Sequence, residues 1–263
     1  MTEAAIDYDP VRRPLKDRVR WRIPDYVSRF VPRRTRWTYI TLGGTGLFDI
    51  KRLLTGVKRP QYPHRIISVY YEPDETTEIV RANKRKADLA ANEIHLTWHL
   101  QDSPRIIYGT VASLEADDIN SDMVVMFLDY EGTVHKYQRE IGSCVTNSVL
   151  GANDLLFVTS CVNEKFFEGK HHFRREAQTR VSELLRVPYD EVTSEDVLKF
   201  HDLNVIRSQV RKASFSLTRR LDCVPIGPLL LYQDRVRMLF LPLQIINERK
   251  NPKVTVELEV LTR

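Results

Sequence analysis

The sequence has few cysteines, no long apolar segment and no low-complexity tract. Its three cysteines, Cys144, Cys161 and Cys223, are an odd number, and none belongs to a CxxC pair. This pattern argues against a disulfide framework and against a structural zinc site. No run of 18 apolar residues occurs, and the first ten residues are polar and acidic, without the apolar core of a signal peptide. We therefore expect neither secretion nor a membrane span, and a cytoplasmic location.

The histidines also lack a recognisable ligand pattern. His95 and His99 are four residues apart and His171 and His172 are adjacent, but no carboxylate or thiol completes a known metal spacing. We expect structural or surface roles for these side chains and no bound metal.

A cluster of glycines is the most informative feature that is present. Gly43, Gly44 and Gly46 follow the apolar run 37–42 and precede a helix-like segment. Glycine lets the backbone adopt positive φ and lets a ligand come close, and the N–H groups that begin the helix face that ligand. The turn therefore predicts a nucleotide-sized cofactor site, although such turns also serve only to change chain direction.

The next predicted strand ends in an acid. Residues 65–71 form an apolar run that is followed by Glu72. A carboxylate at the end of a second strand can accept hydrogen bonds from both hydroxyls of a ribose. Glu72 is thus the first-choice cofactor residue, against the alternative of a solvated acid at a strand end. Asp102, expected after a third strand or loop, is a further candidate for contact with an adenine amino group.

Two more apolar runs, 122–129 and 154–160, predict strands that are buried on both faces. The segments between the runs are long enough for helical crossovers; residues 75–91, for example, are rich in helix formers and contain neither Gly nor Pro. The predicted fold is α/β, with a doubly wound, mostly parallel sheet.

In this order, the motifs resemble the class I S-adenosylmethionine-dependent methyltransferases, which have a Rossmann-like fold. TLGGTG (41–46) is similar to the cofactor turn, Glu72 to the ribose-binding acid, and Asp129 to Gly132 to the strand-four loop where a methyl acceptor docks. The resemblance covers about residues 37–165 and implies S-adenosylmethionine as cofactor and a closing antiparallel hairpin near the C-terminus. It also implies that Asp129, Tyr130 and Glu131 lie at the acceptor, with Asp129 or Glu131 as a base and Tyr130 stacking on a planar substrate.

The strand-four loop departs from two methyltransferase patterns. It lacks the Asp/Asn-Pro-Pro-aromatic sequence of enzymes that methylate exocyclic amines, and it lacks the cysteine of cytosine-C5 enzymes. Two other enzyme classes compete for the same residues. Asp129, Gly132 and Thr133 also resemble the haloacid-dehalogenase phosphatase motif, with Asp129 as nucleophile, but the second acid there is Glu131 instead of Asp. A nicotinamide dehydrogenase fits less well, since Asp49 stands where the third glycine is needed.

Basic residues are concentrated in two additions to this domain. Residues 11–36 hold ten Lys and Arg against two Asp, with aromatic side chains between them, whereas the whole chain has a net charge of +5. We expect residues 1–36 to form a basic arm on a domain of residues 37–263, which carries a helical insertion at about 165–221. Cations interleaved with aromatics suit phosphate contact and base stacking. The sequence thus predicts a nucleic-acid substrate that is bound by Arg12, Arg13, Arg18, Arg20, Arg33, Arg34, Arg36 and the insertion. A non-catalytic module that binds a nucleic acid or a protein partner is the alternative.

Overall fold

In the computed structural model of the chain, residues 14–44, 46–70, 78–130, 132–162, 171–233, 236–248 and 256–262 are described. Glu72, Glu131, Arg12 and Arg13 lie outside these ranges, so the roles expected of them remain predictions. The helices are α1 (Pro14–Phe30), α2 (Phe48–Gly56), α3 (Glu78–Trp98), α4 (Ala116–Ile119), α5 (Val134–Thr146), α6 (His171–Leu185) and α7 (Ser194–Ala213). The strands are β1 (Trp37–Leu42), β2 (Arg65–Tyr70), β3 (Arg105–Tyr108), β4 (Met123–Asp129), β5 (Leu155–Cys161), β6 (Leu221–Pro225), β7 (Leu229–Gln233), β8 (Arg237–Asn247) and β9 (Leu258–Leu261).

The described strands form one sheet in the order β3-β2-β1-β4-β5-β8-β7-β9. The first five are parallel to one another, and β8 is antiparallel to β5. This topology confirms the predicted doubly wound sheet with antiparallel closing strands. The closing hairpin is formed by β7 and β8, and β9 adds to β7 in parallel. On the same edge as β7, the C-terminal half of β8 also pairs with β6, a strand that was not predicted.

Alternating side chains of the sheet feed two apolar cores on its opposite faces. In β4, Val124, Met126 and Leu128 face one core, whereas Val125 and Phe127 face the other. The first core packs against α5, α6 and α7, and the second against α1, α2 and α3. Such double coverage explains why the central strands read as continuous apolar runs.

The described part of the basic N-terminal segment is built into the second core. In α1, Leu15, Val19, Ile23 and Val27 recur every four residues and are buried, so one side of the helix is apolar. The helix packs against α2 and β7. From residue 14 onward, this segment is therefore an integral layer of the domain and differs from the expected separate arm.

The predicted insertion contains α6 and α7, and α7 packs against α5, α6 and β6. The helix α7 begins at a capping box, in which the Thr193 hydroxyl accepts a hydrogen bond from the Asp196 N–H at 3.1 Å. Within the described residues, every helix is too short or too polar to cross a lipid bilayer.

Candidate functional site

The strands β1 and β4 are parallel neighbours at the centre of the sheet, and successive strands are added in opposite directions on either side of them. From β1 the chain continues through β2 to β3 on one side, and from β4 it continues to β5 on the other. In open α/β sheets, ligands bind outside the carboxyl ends of the strands at such a switch point. The Gly43–Gly46 turn follows β1 at this edge, so the topology places it at the crevice.

The three glycines of the turn have different structural roles. A Cβ on Gly43 would lie 1.9 Å from the Ser68 hydroxyl oxygen on β2, and a Cβ on Gly46 would lie 2.4 Å from the Phe48 ring. A side chain at either position would therefore have to displace a packed neighbour. Gly44 is exposed, and a Cβ there would meet nothing within 4 Å. Only Gly44 offers the open approach that was expected of all three.

Asp129 ends β4 at the same edge, but its carboxylate is held inside the protein. Its Oδ2 accepts a hydrogen bond from the Arg20 guanidinium at 2.8 Å and lies 3.0 Å from the Lys16 ammonium. Its Oδ1 accepts a hydrogen bond from the Thr159 hydroxyl at 2.5 Å. All three charged side chains are at most 10 % exposed. The two cations are four residues apart on one side of α1, so this helix is fastened to the carboxyl end of β4.

This environment sets the ionisation of Asp129. Burial by itself raises the pKa of a carboxyl, but Lys16, Arg20 and the hydrogen bond from Thr159 together lower the pKa of Asp129 well below its usual value. A carboxylate of such low basicity, with both oxygens engaged, is a poor proton acceptor. It is equally poorly placed to act as a phosphatase nucleophile. The geometry thus assigns Asp129 an anchoring role and departs from the expected role of base.

A second buried carboxylate, Asp49, belongs to the same charged cluster. It accepts a hydrogen bond from the Thr41 hydroxyl at the end of β1. Burial raises its pKa, while Arg20 is the largest opposing influence. Asp49 is therefore electrostatically coupled to Arg20 and Asp129.

Tyr130 is also internal. Its ring is 3 % exposed and stacks on Tyr137 with centroids 3.9 Å apart, and its hydroxyl donates to Glu140 at 3.4 Å. It packs in the core instead of presenting a face to a planar substrate, which corrects the expected stacking role.

Asp102 lies at the wrong edge of the sheet for contact with a cofactor in the crevice. It is exposed and precedes β3, whereas the sequence analysis had placed it after that strand. Because β3 is parallel to β2, Asp102 is at the amino edge. The error came from the short and only partly buried β3, whose pattern is weak.

The predicted nucleic-acid contacts are divided between two places. Arg20 is buried against Asp129, and exposed Arg18 donates to the backbone carbonyl of Thr262 at 2.9 Å. Exposed Arg33, Arg34 and Arg36 precede β1 and so lie at the amino edge of the sheet. A strand of six residues separates them from the crevice by about 20 Å.

The insertion shows the same internal use of charge. Arg207 donates two hydrogen bonds to the fully buried Asp222, at 3.0 and 2.7 Å, and Arg211 donates a third at 2.7 Å. Part of the basic excess read from the sequence therefore neutralises buried acids and does not face a ligand.

One polar chain at the carboxyl edge was missed by the sequence analysis. The Ser160 hydroxyl, at the end of β5, donates to Asp202 Oδ2 at 2.7 Å, and Asp202 Oδ1 lies 2.9 Å from His201 Nδ1. His201 Nε2 in turn lies 3.4 Å from His135 Nε2. The sequence offered one signal for this chain, His135 at the start of the helix that follows β4. His201 and Asp202, on α7, are far from His135 in the sequence.

Comparison with known proteins gives structural likeness without sequence likeness. No family model matches the chain, and no curated protein matches it. Among solved structures, the chain is similar to magnesium protoporphyrin IX methyltransferase (ChlM) from Synechocystis PCC 6803 with bound SAH, at 10 % identity and a TM-score of 0.45, over 92 % of this chain and 89 % of that one. It is also similar to the methyltransferase domain of bacterial CtHen1-C, at 10 % identity and a TM-score of 0.43, over 88 % and 99 %.

A third similar structure is a protein of the NADB-Rossmann superfamily from Streptococcus agalactiae, at 10 % identity and a TM-score of 0.44, over 87 % of this chain and 70 % of that one. At such low identities and scores, the fold assignment rests on the strand order of this chain itself, which is that of a Rossmann-like α/β sheet closed by antiparallel strands.

Proposed function

We propose that this chain is an S-adenosylmethionine-dependent methyltransferase. The observation that carries the proposal is the glycine turn at the switch point of a sheet whose five parallel strands are closed by an antiparallel β8. A nucleotide-sized cofactor binds in such a crevice, with the helix that follows the turn contributing its N–H groups. The similarity of the sequence motifs to class I methyltransferases selects S-adenosylmethionine among such cofactors.

The described residues fit this cofactor at two points. Gly44 leaves the turn open to the crevice, and the buried Ser68 hydroxyl beside the turn has no hydrogen-bond partner among the described residues. Glu72, which is two residues after β2 in the sequence, would bind the ribose hydroxyls. S-adenosylmethionine carries an activated methyl on a sulfonium, so the protein has chiefly to align the acceptor. In this proposal Asp129 holds α1 in place at the crevice and takes no proton.

We propose a nucleic acid as the methyl acceptor. The chain has a net charge of +5, and Arg33, Arg34 and Arg36 form an exposed cationic edge. Because this edge is about 20 Å from the crevice, it would hold the phosphate backbone while a distant nucleotide reaches the transfer site. Contacts of this kind position a nucleic acid without specifying its sequence.

Calorimetric titration with S-adenosylmethionine and S-adenosylhomocysteine tests the cofactor. Glu72→Gln removes one ionic acceptor, and the loss of a charged hydrogen bond costs about 1.5–3 kcal/mol, so we expect the Kd to rise about 10- to 100-fold. Asp102→Asn is the matched control, since it makes the same kind of change at the opposite edge and should leave the Kd unaltered. Absence of binding to the unaltered protein would overturn the proposal.

Salt-dependent binding of RNA and DNA tests the acceptor class. Replacing Arg33 and Arg34 together by Gln should weaken binding of either nucleic acid and reduce the slope of log K against log salt by up to about 2. Binding with no salt dependence in the unaltered protein would contradict the proposal. Nucleic-acid binding without any methyl transfer would instead favour the non-catalytic module.

A further inference from the structure

The first turns of α3 carry a group of exposed positive charges, which we call the α3 cationic cluster. Four of the six residues from 81 to 86 belong to it: Arg81, Lys84, Arg85 and Lys86. Among the described residues, Arg85 and Lys86 have no carboxylate partner. The cluster thus differs from Arg20 and Arg207, whose charges neutralise buried acids.

The α3 cationic cluster lies at the carboxyl edge of the sheet. Because β2 and β3 are parallel, α3 has to lead from the carboxyl end of β2 back to the amino end of β3, so its first turns are at the carboxyl edge. A contact agrees with this direction, since the Lys84 ammonium lies 4.6 Å from the centroid of the Tyr108 ring. Tyr108 is the last residue of β3.

A continuous series of contacts joins this place to the glycine turn. Tyr108 is paired in register with Tyr70 at the end of β2, and the rings of the two tyrosines are 6.0 Å apart. The Gly43 N–H donates to the Val69 carbonyl, also at the end of β2, at 3.2 Å. The strands β1 and β3 are two strand spacings apart, about 10 Å. The cluster is therefore on the same edge as the crevice and close to it, whereas residues 33–36 are on the opposite edge.

We propose that the α3 cationic cluster binds the phosphate backbone of the nucleic acid that carries the methyl acceptor, and so holds the strand beside the crevice. This inference rests on the proposed function and deepens it. Exposed Lys and Arg side chains complement a polyanion, and each phosphate that they neutralise releases counterions. Such contacts fix the position of a strand and do not read its bases. The surface should accordingly bind RNA and DNA of any sequence.

Fluorescence anisotropy with a labelled single-stranded RNA oligonucleotide, and with DNA of the same sequence, tests the surface in the full chain. Arg85→Gln combined with Lys86→Gln removes two charges and keeps residues that favour a helix, so α3 should stay folded, as circular dichroism would show. If each side chain contacts one phosphate, the slope of log K against log salt should fall in magnitude by about 1.4. The Kd at about 0.1 M salt should rise about 10-fold or more.

Two matched variants control for charge and for position. Arg85→Lys combined with Lys86→Arg keeps both charges and should keep the salt slope. Lys58→Gln combined with Arg59→Gln removes the same charge from exposed residues that precede β2, at the amino edge. Because charges beyond about 10 Å are largely screened at 0.1 M salt, we expect a change in Kd of less than about 2-fold. Equal losses in the two glutamine pairs would overturn the inference, since net charge alone would then explain them.

Methyl transfer and vesicle binding complete the test. The Arg85/Lys86 glutamine pair should raise the KM for the oligonucleotide and leave kcat unchanged, because the cluster holds the strand and touches no reacting atom. Sedimentation with anionic phosphatidylserine vesicles examines a lipid source of phosphate. Binding to vesicles through Arg85 and Lys86, without binding to either oligonucleotide, would overturn the inference.

The outcomes separate this inference from the proposed function. If the cofactor does not bind but oligonucleotide binding depends on Arg85 and Lys86, the methyltransferase proposal fails and the α3 cationic cluster stands as a nucleic-acid surface. If the cofactor and the oligonucleotides bind and the Arg85/Lys86 glutamine pair leaves the Kd unaltered, only the inference about α3 is overturned.

Discussion

The buried ion pairs of Asp129 give the sharpest test of how α1 is held. Asp129→Asn keeps the size of the side chain but removes the negative charge that the Lys16 and Arg20 cations, 7 % and 10 % exposed, contact. Removing one member of a buried pair costs about 3–5 kcal/mol because an uncompensated charge stays in a medium of low polarity. We expect the free energy of unfolding to fall by that amount, measured by urea denaturation followed by circular dichroism.

The pH dependence of the same measurement has a definite sign. The pKa of Asp129 in the folded protein lies below its unfolded value of about 3.9. Its contribution to stability is therefore fully present above about pH 4 and is lost as the pH falls below that value. The difference in stability between the unaltered protein and Asp129→Asn should accordingly be constant near neutral pH and shrink in acid.

An exposed pair is the control for this experiment. Glu93 lies 3.1 Å from Lys51 but is 64 % exposed, so Glu93→Gln should cost less than about 1 kcal/mol. Asp129→Asn with a change as small as that of Glu93→Gln would refute the anchoring role. Hydrogen exchange of the α1 amides adds a local readout, since exchange should accelerate in α1 before the central strands.

Three further predictions follow from the packing. Asp222→Asn, which strips a fully buried carboxylate of its charge, should lower the urea unfolding free energy by about 3–5 kcal/mol. Gly43→Ala should lower the melting temperature, because its Cβ would overlap a hydroxyl on the neighbouring strand at 1.9 Å, whereas Gly44→Ala, with open space, should leave the melting temperature nearly unchanged. Cys144, fully buried and with its pKa raised by burial to about 12, should react with a thiol reagent only as the protein unfolds, more slowly than the partly exposed Cys161 in a mass-spectrometric time course.

The fold class could be predicted from the sequence because the central strands are buried on both faces and so are apolar along their whole length. This signal identified β1, β2, β4 and β5, and the glycines marked the reversal of the chain after β1. The edges of the sheet carried weaker signals. β3 is short and only partly buried, and β6 is short and pairs with one end of β8, so neither produced a clear run.

The roles of the site residues depend on contacts between residues that are far apart in the sequence. The sequence placed Asp129 correctly at the end of a strand, but its function there depends on two cations that are more than a hundred residues earlier and that α1 alone brings to it. The sequence also gave no indication that His201 and Asp202 would meet Ser160 and His135, since helix periodicity fixes which residues share a side of α7 and not which strand end that side reaches. Local composition determined the elements and their order, because burial and backbone propensity act over a few residues. Tertiary packing decided which charges are neutralised inside the protein and which side chains lie together at the carboxyl edge. Electrostatic and hydrogen-bond partners depend on distance in space and not on distance along the chain.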